Sequence, residues 1–206
     1  MQPVVAAYRS RIRDYGATPP GVVWRSEDRQ TDRFMVLLDM IPESDRLRDL
    51  SLNDLGCGYG ALLEYARRDT DLRIARYQGY DACPEMIQAA GQTLGDDEGI
   101  HLEVASEATR EADYSVVSGT FNLKIYAREK DWEAYVKQSL MALWKKSRRG
   151  MAFNLLSKPF GHTDGTLYLA DPGNYLEFCL RHMSGNVVLR HDYMPDDFTI
   201  WVMRTL

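Results

Sequence analysis

Residues 53 to 65 read NDLGCGYGALLEY, with glycines at 56, 58 and 60 behind the acid Asp54. Glycines so placed between a strand and a helix allow a sharp turn and let a ligand approach the backbone closely. The spacing Gly56-x-Gly58-x-x-Ala61 satisfies the relaxed dinucleotide fingerprint, whose last position admits Ala. The acids around it point elsewhere. Asp54 sets a carboxylate beside the loop, where it would repel a pyrophosphate and suits a cationic ligand. Asp81 follows 21 residues after Gly60, at the end of the next expected strand, where a carboxylate accepts hydrogen bonds from ribose hydroxyls. The two acids together call for a ligand with a positive charge and a ribose.

Positioning these groups requires strands that end at the acids and helices that begin after them, and the chain supplies both. LSLNDLG (51–56 at its core) is an apolar strand that runs into the glycine turn, and a helix follows from about Ala61 to Arg68. ARYQGYD is a second strand, PEMIQAAGQTLG a helix with Pro84 in its first turn, IHLEVAS a third strand and DYSVVSG a fourth. EKDWEAYVKQSLMALWKKS is a long amphipathic helix, GMAFNLLS a fifth strand and DPGNYLEFCLRHMS a helix. Strands alternating with helices imply a mostly parallel sheet with helices on both faces. NVVLRHDY and FTIWVMRTL then follow with only MPDD between them, so the sheet closes with an antiparallel hairpin of two further strands. Ahead of the first strand, apolar residues at 4, 5, 8, 12 and 15 mark a helix ending at Gly16, ATPPG marks a turn, and a second helix begins near Ser26 as its N-cap and continues to Pro42.

Composition narrows the class. The 206 residues, 45% hydrophobic and 27% charged, suit one folded domain with an appendage, and the longest apolar runs, such as Phe34 to Leu38, fall far short of a membrane span. The first residues carry charges where an export signal needs an apolar stretch. Cys57, Cys83 and Cys179 are too few and scattered for a disulfide framework or a zinc site, so a cytoplasmic, metal-free protein is expected. A net charge of −5 argues against tracking nucleic-acid backbone. The one basic cluster, KKSRR at 145–149, reads as the solvated C-terminal end of a helix, where cations are favoured by the helix dipole.

DLGCGYG, GYDACPEMI, DYSVVSG and the closing hairpin together resemble class I S-adenosylmethionine-dependent methyltransferases, over about residues 50 to 206. The resemblance implies a Rossmann-like, mostly parallel seven-stranded sheet, with residues 51–206 as the methyltransferase domain and residues 1–50 as a helical cover. It implies S-adenosylmethionine as cofactor, its methionine part packed on Asp54, Gly56, Cys57, Gly58 and Gly60, its ribose on Asp81 and its adenine between Ala82 and Met86. An acid commonly ends the third strand in this family. Here the run is EVASEA, so Ser106 or Glu107 substitutes. Ser118, after the fourth strand, and Arg33, facing the cofactor carboxylate, complete the expected cofactor set.

Methyl transfer from a sulfonium is an in-line displacement that needs alignment and exclusion of water more than dedicated catalytic groups. An acceptor hydroxyl or ammonium still has to lose a proton, for which a His is the usual base. His162, in the turn-rich loop SKPFGHTDGTLYLADP after the fifth strand, is the leading candidate, with Tyr168 from the same loop. Asn122 and Lys124 after the fourth strand are the other acceptor-side candidates. Tyr8, Tyr15, Trp24 and Gln30 of the N-terminal helices are candidate wall residues, Trp24 against the acceptor. The chain lacks the Asn-Pro-Pro-Tyr stretch of enzymes that methylate flipped bases or glutamine. A small-molecule acceptor methylated at oxygen or nitrogen, with no nucleic-acid or membrane partner, is the expectation. A nucleic-acid or protein methyltransferase and a non-enzymatic cofactor-binding domain are its rivals.

Overall fold

The hydrophobic pattern resolves into a seven-stranded sheet of order β3-β2-β1-β4-β5-β7-β6 in a computed structural model, which describes residues 2–22, 27–158 and 165–204. The strands are β1 (Leu50–Leu55), β2 (Ile74–Asp81), β3 (Ile100–Val104), β4 (Ala112–Val117), β5 (Ser147–Leu156), β6 (Asn186–Arg190) and β7 (Asp197–Met203). The first five run parallel, and β7 lies antiparallel between β5 and β6. This is the Rossmann-like sheet with a reversed closing strand that the alternation implied. The link from β6 to β7 is longer than expected, residues 191–196, because β6 stops at Arg190, whose guanidinium pairs with Asp192.

The helices are α1 (Gln2–Tyr15), α2 (Glu27–Leu38), the short α3 (Glu43–Arg46), α4 (Ala61–Asp69), α5 (Pro84–Leu94), α6 (Glu129–Lys146) and α7 (Pro172–His182), with one 3-10 turn at Pro19–Val22. Local chemistry sets their ends. Pro84 opens α5 and Gly95, at φ 71°, closes it. Asp171 caps α7 by accepting the Asn174 N–H at 3.1 Å. The expected Ser26 cap lies outside the described residues.

Two apolar layers sandwich the sheet. Trp132, Val136 and Leu140 of α6 and Tyr175 and Cys179 of α7 pack on Phe153 and Leu155 of β5. Phe34 and Leu37 of α2 and Leu62 and Leu63 of α4 pack on Leu52, Val116 and Ala152 from the other side. Every residue of β1 is buried, as expected of a central strand. Because β1 passes to β2 on one side and β4 on the other, the sheet has its topological switch point there, and open parallel sheets bind ligands outside the carboxyl ends of such strands.

The basic cluster differs from its expected form. Helix α6 ends at Lys146 and β5 starts immediately, so Arg148 and Arg149 are strand residues. Arg149 Nη1 meets both oxygens of Asp45 at 2.8–2.9 Å, and Arg148 Nη2 lies 3.2 Å from Asp113. Two of the four cations are therefore neutralised by carboxylates from α3 and β4, which arrive at the same end of the sheet. No described helix is long and apolar enough to cross a membrane.

Candidate functional site

At the carboxyl ends of β1, β2 and β4 the glycine loop folds back over β2: the N–H groups of Gly56 and Cys57 both donate to Tyr80 O, at 2.7 and 3.0 Å. Gly56, Gly58 and Gly60 take φ values of 78°, 55° and 88°, the left-handed region that side chains with a Cβ disfavour. At Gly56 a Cβ would also lie 2.1 Å from Thr120 Oγ1, so the loop after β4 fills the space that a side chain would need. Gly60 begins α4 and rests on Leu94 of α5.

Two carboxylates flank this loop. Asp54 is 2% exposed and accepts a hydrogen bond from Tyr77 OH at 2.7 Å. Burial pushes its pKa up to about 7, opposed by the Tyr77 hydrogen bond and aided by the charge of Asp81. Asp81 accepts from Cys83 N–H at 2.8 Å and from Gly58 N–H at 3.1 Å, which ties the end of β2 to the glycine loop. Burial raises it to about 6 against the pull of those two N–H groups. Burial, and then the charge of Asp81, keep the Tyr8 hydroxyl protonated far above its ordinary range.

A cleft of about 900 Å³, counting its open mouth, runs between these acids. The candidate residues Asp54, Gly56, Cys57, Gly58, Asp81, Ala82, Met86, Ser106 and Ser118 all line it. Of the pair left open after β3, Ser106 reaches the cleft, while Glu107 is solvent-exposed and does not. Tyr8 and Gln30 line it from α1 and α2, as expected of wall residues.

Other candidates are held elsewhere. Arg33 does not line the cleft: its Nε and Nη2 both lie 2.8 Å from Asp197 Oδ2, in a pair only 2% and 0% exposed. Asn122 Oδ1 accepts the Leu156 N–H at 3.2 Å, and Tyr168 OH meets Tyr175 OH at 3.0 Å, both beneath the surface. Lys124 Nζ donates to Ala127 O and Gly165 O at 3.1 and 3.0 Å, pinning a loop whose next residues, Ile125 and Tyr126, take φ values of 44° and 60°. Those side chains serve the loops around the site. Tyr15 is exposed at the end of α1 under Arg11. His162 and Trp24 lie outside the described residues.

The cleft also has lining that the sequence reading passed over: Val4, Val5, Val22, Phe34, Tyr59, Thr120, Phe121 and Tyr135 among others. Val4, Val5 and Tyr8 share one face of α1, a spacing that could have singled them out. Tyr135 sits among the core residues of α6, and nothing in the sequence separates it from Trp132 or Val136.

Chemically, the cleft offers a carboxylate at each side of a backbone cradle and apolar walls between them. A long ligand with a cationic end at Asp54, vicinal hydroxyls at Asp81 and a flat group against Ala82 and Met86 fits that set. The Ser118 Oγ, buried without a hydrogen-bond partner among the described residues, is a further polar group on its wall. No group of three His, Cys, Asp or Glu residues that could hold a metal occurs among the described residues.

No family model matches the chain. A protein of Mycobacterium tuberculosis named "Putative methyltransferase Rv1506c" is 40% identical over 159 residues, 75% of this chain and 93% of its own. Among solved structures, the magnesium protoporphyrin IX methyltransferase (ChlM) of Synechocystis PCC 6803 with bound SAH superimposes with a TM-score of 0.62 at 13% identity, over 96% of this chain and all of that one. The structure described as "Complex between the Haloferax volcanii Trm112 methyltransferase activator and the putative methyltransferase" gives a TM-score of 0.64 at 15% identity, over 98% of both chains.

Proposed function

The chain belongs to the class I S-adenosylmethionine-dependent methyltransferases, and from that membership we propose that it methylates an oxygen or nitrogen of a small metabolite. When bound, S-adenosylmethionine supplies an electrophilic methyl group on a sulfonium. In this reading Asp54 receives the donor's amino group, Asp81 accepts hydrogen bonds from its ribose hydroxyls, and Ala82, Met86 and Ser106 border the adenine. The glycine backbone of the loop admits the methionine part at van der Waals distance, while the missing Cβ at Gly56 makes room for Thr120 of the loop after β4. The N-terminal helices act as a cover that orients the acceptor and excludes water. His162, from its place in the loop after β5, is the proposed base for the acceptor's proton.

The observation that carries the small-molecule reading is the wall that the N-terminal helices add to the cleft. Val4, Val5 and Tyr8 of α1 with Gln30 and Phe34 of α2 narrow the cleft and make it largely apolar, which suits a compact acceptor better than a polynucleotide. Among the described residues, no Lys or Arg lines the cleft, and Arg148 and Arg149 are paired with Asp113 and Asp45 near the start of β4. The test is incubation of the protein with methyl-labelled S-adenosylmethionine and a cell extract separated into small molecules, nucleic acid and protein. Label in the small-molecule fraction supports the reading, and label confined to RNA, DNA or protein overturns it.

A further inference from the structure

The carboxylate of the methyl donor finds no cation on the walls of the cleft. S-adenosylmethionine carries its ammonium and its carboxylate on one carbon, so an ammonium received by Asp54 leaves the carboxylate close to that acid, where the charge of Asp81 is also felt. No Lys or Arg lines the cleft among the described residues, and Arg33 of α2 is taken by Asp197. Uncharged hydrogen-bond donors have to serve instead. Of the lining hydroxyls, Thr120 is spent on Leu55 O and Tyr59 on Gln30, while Tyr8 lies within the field of Asp81, on the ribose side.

Gln30 remains. It is 5% exposed and forms part of the cleft wall, and its Oε1 accepts from Tyr59 OH at 3.2 Å. That bond leaves Nε2 with two N–H groups and no partner among the described residues, and unlike Ser118 Oγ this nitrogen is not sealed beneath the wall. Its place is on the methionine side. Tyr59 belongs to the glycine loop, and Phe34, one turn beyond Gln30 on the same face of α2, shares an apolar cluster with Cys57 of that loop and Leu62 of α4. Helix α1 covers the other side, tied to α5 by Arg9 and Glu85. Ala61 and Leu62, the first residues of α4, also line the cleft, and their N–H groups have no partner among the described residues, so the start of that helix favours a negative group beside Gln30.

We propose that Gln30, oriented by Tyr59, binds the methionine carboxylate of the donor through Nε2, the role that the sequence suggested for Arg33. The inference rests on the reading above in which Asp54 receives the donor's ammonium. Nε2 can only donate, so it suits a carboxylate and not an ammonium. Being uncharged, it also spares the nearby sulfonium a cationic neighbour.

The test is calorimetry with S-adenosylhomocysteine and with its decarboxylated analogue, which keeps the ammonium and lacks the carboxylate. The unaltered protein should bind S-adenosylhomocysteine more tightly than the analogue. Gln30→Leu should weaken S-adenosylhomocysteine by about tenfold and the analogue by no more than about twofold, as expected when a hydrogen bond to a charged group is lost. Gln30→Glu sets an acid against the carboxylate, so it should weaken S-adenosylhomocysteine further while the analogue holds or gains. Tyr59→Phe keeps the amide but frees its orientation, and should cost S-adenosylhomocysteine about threefold and the analogue nothing, which tests the inference even where the Gln30 variants do not fold. Equal affinity of the unaltered protein for the two ligands, equal losses for both in any variant, or undiminished S-adenosylhomocysteine affinity in folded Gln30→Leu would overturn the inference. So would stronger binding of S-adenosylhomocysteine by Gln30→Glu, which would show that the amide turns its oxygen to the ammonium. Failure of the unaltered protein to bind either ligand would remove the donor reading itself, a result distinct from binding that ignores Gln30.

Discussion

Gly56 and Thr120 meet across the switch point of the sheet: a Cβ on Gly56 would sit 2.1 Å from Thr120 Oγ1, which is itself held at 2.9 Å by Leu55 O. The glycine thus answers two demands at once, a φ of 78° and contact with the loop after β4. Gly56→Ala should destabilise the protein by about 3 kcal/mol, combining left-handed strain with overpacking. The urea midpoint checks this, and a midpoint equal to that of the unaltered protein would show the loop to be pliable.

Donor binding should depend on pH through the two buried acids. Asp54 and Asp81 have pKa values of about 7 and about 6 because burial disfavours their charged forms. Asp54 pairs with the ligand's ammonium only when ionised, so affinity for S-adenosylhomocysteine should be highest near about pH 8 and fall as pH drops through 7 and then 6, by up to about tenfold per unit for each group. Without ligand the sign reverses. The fold favours the protonated form of both acids relative to the unfolded chain, so their contribution to stability is present at low pH and is lost as pH rises through these values. Calorimetry across this range is the check, and a flat affinity profile would remove the acids from the donor site.

The Arg33 and Asp197 pair should matter for the fold and little for the donor. Both side chains are buried, and Tyr193 OH also hydrogen-bonds Asp197. Burial raises the Asp197 pKa and Arg33 opposes that rise, so Arg33→Met leaves an uncompensated acid and should cost about 3–5 kcal/mol. Arg33→Met combined with Asp197→Leu should recover most of the loss. Thermal unfolding of the two variants and the unaltered protein measures this. A fall in S-adenosylhomocysteine affinity without loss of stability would return Arg33 to the cofactor carboxylate.

Helix α1 should be dispensable for folding and important for turnover. Val4 is its only buried residue, and it is held to α5 by the Arg9 and Glu85 ion pair at 2.6 Å. Removal of residues 1 to 15 should leave a cooperatively unfolding protein whose methyl transfer is reduced by about tenfold or more. An insoluble product would assign the helix to the core.

What the sequence made legible follows backbone rules. The glycine loop, the strand ends at Asp54 and Asp81 and the proline at the start of α5 are local requirements, and spacing alone relates them. The hairpin was legible for the same reason, since a short link between two strands admits only an antiparallel return. Contacts between distant residues were not. Arg33 and Asp197 lie at opposite ends of the chain, and no local pattern announces their pairing. Arg148 and Arg149 looked like a helix end because their carboxylate partners, Asp113 and Asp45, come from other elements. Lys124 looked available for an acceptor, yet it is bound to carbonyls of its own loop and of the loop after β5.

The central claim is that the cleft between Asp54 and Asp81 holds S-adenosylmethionine, and calorimetry with S-adenosylmethionine and a nicotinamide dinucleotide, on unaltered protein and on Asp81→Ala, tests it most directly. The account predicts binding of the methyl donor but not of the dinucleotide, with Asp81→Ala reducing donor affinity by about 1.5–3 kcal/mol as charge-assisted hydrogen bonds are lost. Binding of the dinucleotide alone, or donor affinity undiminished in Asp81→Ala, would contradict it.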